Sequence, residues 1–186
     1  RRRRAGAGCV ADCCGVLGPA RVLEILASAC GSGADGSNWR QLEASLHALQ
    51  SASAELLPRR SGLLRKQNLA ASVQPEIASA LETILGPLLL ANSENSDCLA
   101  QAVVHPLCRA ATLGMATAYS DWLCHQPEAL VAALNFAAQA LISPARGAAR
   151  ILAPNAASFI GKISRDAAMQ VLRLPAEIGI DMLLHV

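Results

Sequence analysis

The stretch from Ala110 to Leu141, AATLGMATAYSDWLCHQPEALVAALNFAAQAL, constrains the fold more than any other part of the chain. Apolar residues recur on both sides of Pro127 at the spacing of an amphipathic helix. Pro127 has no N–H to donate and a preset φ, so it begins a helix more readily than it continues one. Glu128 follows in the first turn, where the helix dipole favours an anion. We expect two helices joined by a short break and folded back as antiparallel neighbours.

The composition favours helices along the whole chain. Of the 186 residues, 53% are hydrophobic and 16% are charged, and alanine and leucine, which form helices readily, dominate. No segment alternates apolar and polar residues over the length of a strand, so we predict essentially no strand. The most apolar windows, Leu81–Ala91 and Ala129–Ile142, contain polar residues, glycine or proline. They fall short of the roughly 18–20 apolar residues of a membrane span.

The tripeptide Gln-Pro-Glu occurs twice, with its prolines at Pro75 and Pro127, 52 positions apart. Each copy opens an apolar helix and follows a helix that holds a tryptophan. A lone helix pair leaves an apolar stripe uncovered, whereas stacked pairs cover one another. The sequence therefore predicts an all-α fold: an α-solenoid of antiparallel helix pairs of the HEAT or armadillo kind, with about seven or eight helices. We expect residues 1–16 to be disordered or fragment-derived and residues 17–186 to form one solenoid segment.

Local signals predict where individual helices begin and end. A helix from Leu17 should end at Gly31, before a small-residue loop. Asn38 should cap the next helix, which runs to Leu57. The His105-Pro106 pair should break or kink a longer helix, and Pro154-Asn155 should interrupt the region after Ile142. Small residues around Gly114 should let a neighbouring helix approach closely.

No group of residues predicts a catalytic, cofactor-binding or metal site, and we interpret the chain as a non-enzyme without a cofactor. The histidines lie far apart, outside zinc-ligand spacing, and a histidine at a helix end usually serves the terminal carbonyls. Residues 31–36, GSGADG, fit neither a nucleophile elbow nor a phosphate loop. The carboxylates form no evident pair. The histidines are His47, His105, His125 and His185, and the polar residues weighed with them are Ser32, Asp35, Ser37, Glu43, Glu55, Glu76, Glu82, Asp121 and Glu128.

Seven cysteines are present, of which Cys9, Cys13 and Cys14 cluster. The cluster lacks paired CxxC spacing and a nearby histidine, so we predict no zinc site. Cysteines packed as small apolar side chains explain the pattern best. Unpaired thiols are typical of the cytosol or the nucleus.

Candidate binding residues are dispersed. For Trp39 and Trp122 we favour packing between repeat units over a role as interface anchors. The net charge of +2 and the 3% of aromatic residues are too small for a nucleic-acid surface. We interpret Arg1–Arg4 as a solvated or fragment-derived end in preference to a nuclear localisation or nucleic-acid patch. We interpret the basic stretch 58–72 as a solvated loop in preference to a site for an acidic partner, and leave the partner-binding residues unassigned. The remaining basic residues considered are Arg109, Arg146, Arg150, Lys162, Arg165 and Arg173.

Three segments resemble, in order, HEAT repeats of the importin-β superfamily. Residues 38–49, NWRQLEASLHAL, resemble its W-R-x-x-E-A-x-L-x-A-L helix. Residues 113–136, from LGMATAYSDWLCHQPE to LNF, resemble the following repeat of the branch that contains transportin-SR and importin-thirteen. Residues 156–166, AASFIGKISRD, are similar to the next helix of that branch. Two departures are the extra residues 145–153 and the C-terminal residues 175–186, which match nothing in the pattern.

The resemblance implies a middle section of a nuclear transport receptor. Such a protein carries protein cargo through pores lined by FG nucleoporins under the control of Ran-GTP, and is found in cytoplasm and nucleus. No Ran-binding or cargo-binding residue is transferred, because those motifs are not visible in this chain. Two alternatives stay open: a HEAT or armadillo scaffold or adaptor unrelated to transport, and an all-α enzyme.

Overall fold

A computed structural model describes residues 2–34, 38–57, 75–90, 105–142 and 146–166. Within these ranges every regular element is a helix, which confirms the all-helical prediction. The helices are α1 (Arg2–Leu17), α2 (Pro19–Ala34), α3 (Trp39–Leu56), α4 (Pro75–Leu90), α5 (Pro106–Ala118), α6 (Ser120–Leu123), α7 (Pro127–Ile142) and α8 (Arg146–Asp166).

Several helices begin where the sequence predicts. The Asn38 side chain accepts a hydrogen bond from the Gln41 N–H at 3.3 Å and so caps α3. Pro75 and Pro127 are the first residues of α4 and α7, each with a glutamate in the first turn. These starts follow from local chemistry, because the capping oxygen and the proline ring act within one turn.

The first two helices differ from the sequence prediction. α1 is helical where residues 1–16 were expected to be disordered; the fragment-derived alternative stays a prediction. α2 runs past Gly31 to Ala34. A glycine that ends a helix usually has a positive φ, and in the described part only Gly18 has one, at 83°. Gly18 donates its N–H to Cys14 O at 3.1 Å and separates α1 from α2.

α8 continues through Pro154, where the sequence predicted an interruption. Proline cannot donate to the carbonyl one turn earlier, and this normally breaks or kinks a helix. The neighbouring Asn155 donates from its side-chain amide to Ile151 O at 2.7 Å. This bond supplies a side-chain donor to a carbonyl of the turn that the proline weakens.

The helix contacts fall into two series. In the first, α1 packs against α3, α3 against α5, and α5 against α8; in the second, α2 packs against α4, and α4 against α7. α2 also contacts α1 and α3, while α7 contacts α5 and α8, so the two series meet in one apolar core. The largest fully buried side chains include Trp122, Tyr119, Phe136, Phe159, Leu42, Leu46, Leu81 and Leu85.

α3 and α5 lie side by side and run in the same direction. Near their first residues, the rings of Trp39 and His105 stack with centroids 3.7 Å apart. Further along both helices, the Tyr119 hydroxyl donates to Leu49 O at 2.8 Å. Two helices whose starts meet and whose later residues also meet are parallel. The starts of α3 and α5 therefore form one shared end.

Candidate functional site

The shared end of α3 and α5 carries the side chains of Trp39, Arg40 and His105, and Arg109 follows one turn after His105 on α5. We call these four residues the α3–α5 cluster. The Trp39 and His105 rings are inclined by only 10°. The Arg40 guanidinium carbon lies 4.6 Å from the centroid of the Trp39 ring, within cation–π range. Trp39 and His105 are half-buried, and Arg40 is exposed.

Backbone contacts fix this end of the two helices. His105 caps α5, because its Nδ1 accepts a hydrogen bond from the Leu107 N–H at 3.3 Å. The Cys108 thiol donates to Trp39 O at 3.1 Å and so joins α5 to the first residue of α3. Burial, with a smaller effect of the Glu43 charge, raises the pKa of Cys108 to about 11. The neutral thiol is therefore the stable form, and it serves as a hydrogen-bond donor.

Arg109 lies one turn after His105 on α5, and its guanidinium carbon is 5.2 Å from the centroid of the Phe136 ring of α7. Its Nε is sealed from solvent and has no hydrogen-bond partner among the described residues. Desolvation lowers the pKa of the guanidinium. The side chain as a whole is half-buried. A charge in such a position costs free energy unless an anion approaches its exposed part.

A polar row on α3 continues from the cluster. The Glu43 carboxylate lies 3.6 Å from His47 Nε2, and His47 Nδ1 lies 3.4 Å from Gln50 Oε1. The end of the Gln50 side chain covers Gly114 of α5, where a Cβ atom would lie 3.0 Å from Oε1. This confirms the close approach predicted at Gly114. Glu43 is thus the carboxylate of this row, and it faces His47.

The two tryptophans differ in their surroundings. Trp122 is 1% exposed and packs in the core, as the sequence predicted. Trp39 packs against the same core but is half-buried at its edge, in contact with Arg40 and His105. Core packing is therefore confirmed for Trp122 and holds only in part for Trp39, while packing between repeat units stays a prediction.

The histidines lie on separate elements. His125 donates from Nδ1 to Asp121 O at 2.8 Å, which confirms its predicted role at a helix end. His47 belongs to the polar row and His105 to the cluster. Glu76, Asp121 and Glu128 lie in the first turns of α4, α6 and α7. Glu55 and Glu82 are exposed on α3 and α4.

The other described basic residues considered together with Arg109 lie on α8. Lys162 of α8 donates to Thr117 O at 3.0 Å, and Arg150 and Arg165 are exposed on the same helix. The following residues and stretches lie outside the described residues: Asp35, Ser37, residues 58–72, Cys98, Arg173, residues 175–186 with His185, and part of residues 145–153.

Six described cysteines are thiols rather than disulfides. Cys14, Cys30, Cys108 and Cys124 are buried, as predicted for small apolar side chains, whereas Cys9 is exposed. Within the described ranges, no three His, Cys, Asp or Glu side chains form a group suited to a metal ion. In that same part of the chain, no helix has the length and apolar content needed to cross a bilayer.

Comparisons with known proteins give no relative: no protein-family model, curated protein or solved structure matches the chain. The resemblance to the importin-β superfamily therefore stays a prediction.

The sequence contained part of the signal for the α3–α5 cluster. Trp39 follows a capping asparagine, and His105 precedes a proline, so both were marked as residues at helix starts. Their contact joins segments that are far apart: the Cys108–Trp39 hydrogen bond spans 69 positions. Neither periodicity nor spacing indicates which helix starts meet, so the cluster was missed.

Proposed function

We propose that this chain is a segment of a protein-binding α-solenoid that works by reversible association. The observation that carries the proposal is the parallel packing of α3 and α5, since parallel neighbours within one row are the relation between equivalent helices of successive repeats. The second series supports it, because α4 and α7, the two helices that open with Pro-Glu, contact each other.

The exposed apolar side chains agree with this proposal. Among the described residues, the large ones lie on the first two helices, at Val16, Leu17 and Ile25, and on the last two, at Ile142 and Ile151. A stack that continued on both sides would contact its next helices at these ends.

Within this class, we propose a nuclear transport receptor found in cytoplasm and nucleus, with protein cargo, Ran-GTP and FG nucleoporins as partners. This finer proposal is supported only by the ordered resemblance of residues 38–49, 113–136 and 156–166 to transportin-SR and importin-thirteen. A HEAT or armadillo scaffold unrelated to transport shares the fold and remains the second candidate, because fold does not determine function.

Ran binding discriminates between the two candidates. The full-length protein is immobilised and titrated with Ran loaded with GTP or with GDP, and binding is followed by biolayer interferometry. A transport receptor binds the GTP form and ignores the GDP form. Failure to bind either form, or equal binding of both, would exclude the receptor and favour the scaffold.

A further inference from the structure

In the described part of the chain, the two arginines of the α3–α5 cluster have no carboxylate partner. Among the described residues, the one arginine in an ion pair is Arg21, which pairs with Glu24 on the exposed face of α2. Arg40 and Arg109 form no ion pair with described residues, and Arg109 also has its buried Nε without a hydrogen bond. Glu43, one turn along α3 from the cluster, lies beside His47 instead.

Aromatic rings hold both guanidinium groups in place. Arg40 lies over Trp39 and Arg109 over Phe136, so each planar group is supported on one face. A supported guanidinium loses less conformational freedom when it binds, and its edge carries N–H donors that match a carboxylate. The positive ends of two parallel helix dipoles add to the potential at this shared end.

The surroundings favour a carboxylate over a nucleic acid. Single-stranded nucleic acid is held largely by bases that stack on open aromatic faces. The Trp39 ring is already in contact with the His105 ring and the Arg40 guanidinium, and it packs against the core. Phe136 is 1% exposed. Neither ring offers a face to a base, whereas the guanidinium edges remain suited to an anion.

We propose that the α3–α5 cluster is a docking site for a carboxylate-rich segment of a partner protein, with Arg40 and Arg109 as the residues that bind it. This inference rests on the proposed protein-binding function and names the chemistry of one partner surface. His105 and Trp39 act as positioning residues, because they hold the starts of α3 and α5 together beneath the arginines.

The test is binding of a fluorescein-labelled peptide of repeated Asp-Glu pairs, followed by anisotropy at low and at physiological salt. The matched peptide of Asn-Gln pairs controls for non-ionic binding, and a labelled single-stranded RNA tests the nucleic-acid alternative. Arg40→Gln and Arg109→Gln each remove one charge. Arg165→Gln removes the same charge from an exposed side chain one turn after Lys162, which contacts Thr117 at the end of α5 opposite His105.

We expect Arg40→Gln and Arg109→Gln each to weaken binding of the acidic peptide about tenfold, as for loss of one charge-assisted contact. Arg165→Gln should change it by less than about twofold, since exposed charges at a distance are screened. Arg109→Lys should lie between wild type and Arg109→Gln, because it keeps the charge and loses the planar fork. Arg40 is exposed, so its substitution keeps the test valid even if changes at Arg109 disturb folding.

Equal weakening by Arg40→Gln and Arg165→Gln would overturn the inference, because binding would then follow net charge. Equal affinity for the Asn-Gln peptide would also overturn it, as would RNA binding at the cluster without acidic-peptide binding. These outcomes are independent of Ran: loss of the docking site alone leaves the Ran result unchanged.

Discussion

Substitution of Gly114 by alanine tests the parallel packing of α3 and α5 with the smallest change available. An alanine Cβ would lie 3.0 Å from Oε1 of Gln50, 3.3 Å from its Cδ and 3.4 Å from its Nε2. These distances require the Gln50 amide to move. The same amide lies 3.4 Å from His47 Nδ1, so its movement also disturbs that contact.

Two opposing effects set the change in the free energy of unfolding that Gly114→Ala causes. Alanine in place of glycine inside a helix stabilises by about 0.5–1 kcal/mol. Displacing Gln50 costs about 0.5–1.5 kcal/mol if its hydrogen bond is lost. Gly161 of α8 provides the matched control, because its nearest neighbour would be the Arg165 side chain at 3.9 Å, an ordinary contact. Gly161→Ala should therefore show the full stabilisation, and Gly114→Ala a change near zero or a slight loss.

Urea unfolding followed by far-UV circular dichroism measures both variants, together with Gln50→Ala and the Gln50→Ala/Gly114→Ala double variant. Without the Gln50 amide, Gly114→Ala should recover the helix-propensity gain, which gives a coupling free energy of about 1 kcal/mol. If Gly114→Ala stabilises as much as Gly161→Ala, with no coupling to Gln50, then the Gln50 amide does not pack against Gly114 and the close approach at this point is wrong.

Three further predictions concern the buried side chains. Trp122→Ala should lower the free energy of unfolding by about 3–5 kcal/mol in urea titrations, because the ring is 1% exposed in the core. A loss below about 1 kcal/mol would contradict the burial of this ring. Tyr119→Phe should cost about 1 kcal/mol by the same assay, since it deletes the hydrogen bond to Leu49 O, and unchanged stability would show that this bond contributes nothing. Burial raises the pKa of the Cys30 and Cys108 thiols from 9.0 to about 11, so these thiols ionise at lower pH in the unfolded chain than in the folded one. Stability should therefore be highest below pH 9 and fall as pH rises towards 11. Urea titrations across this range should show a shallower fall for Cys108→Ala, and an unaltered pH profile would contradict the burial of that thiol.

Local chemistry allowed much of the secondary structure to be predicted. Asn38 and Pro127 act within one turn of backbone, so the starts of α3 and α7 followed from the sequence. His125 was assigned correctly for the same reason. α8 continues through Pro154, with the Asn155 side chain donating to Ile151 O, and a proline-based rule did not predict this continuity.

Tertiary contacts explain what the sequence left out. The α3–α5 cluster exists because two distant helix starts meet, and the propensities of neither helix specify that meeting. α1 is a further case, since it lacks an evident apolar stripe, yet Cys14 is buried where the helix packs against α3. The absence of a matching relative left physical patterns and one family resemblance as the guides to function.

Nuclear Overhauser contacts in the isotope-labelled chain test the central claim, that α3 and α5 are parallel neighbours with a shared end, most directly. The account predicts cross-peaks between the Trp39 and His105 ring protons, and between the Gln50 side-chain amide and the Gly114 α-protons, in the same spectrum. Cross-peaks from Trp39 to the Tyr119 end of α5 in their place would show that the two helices run antiparallel. That result would contradict both the proposed stack and the α3–α5 cluster.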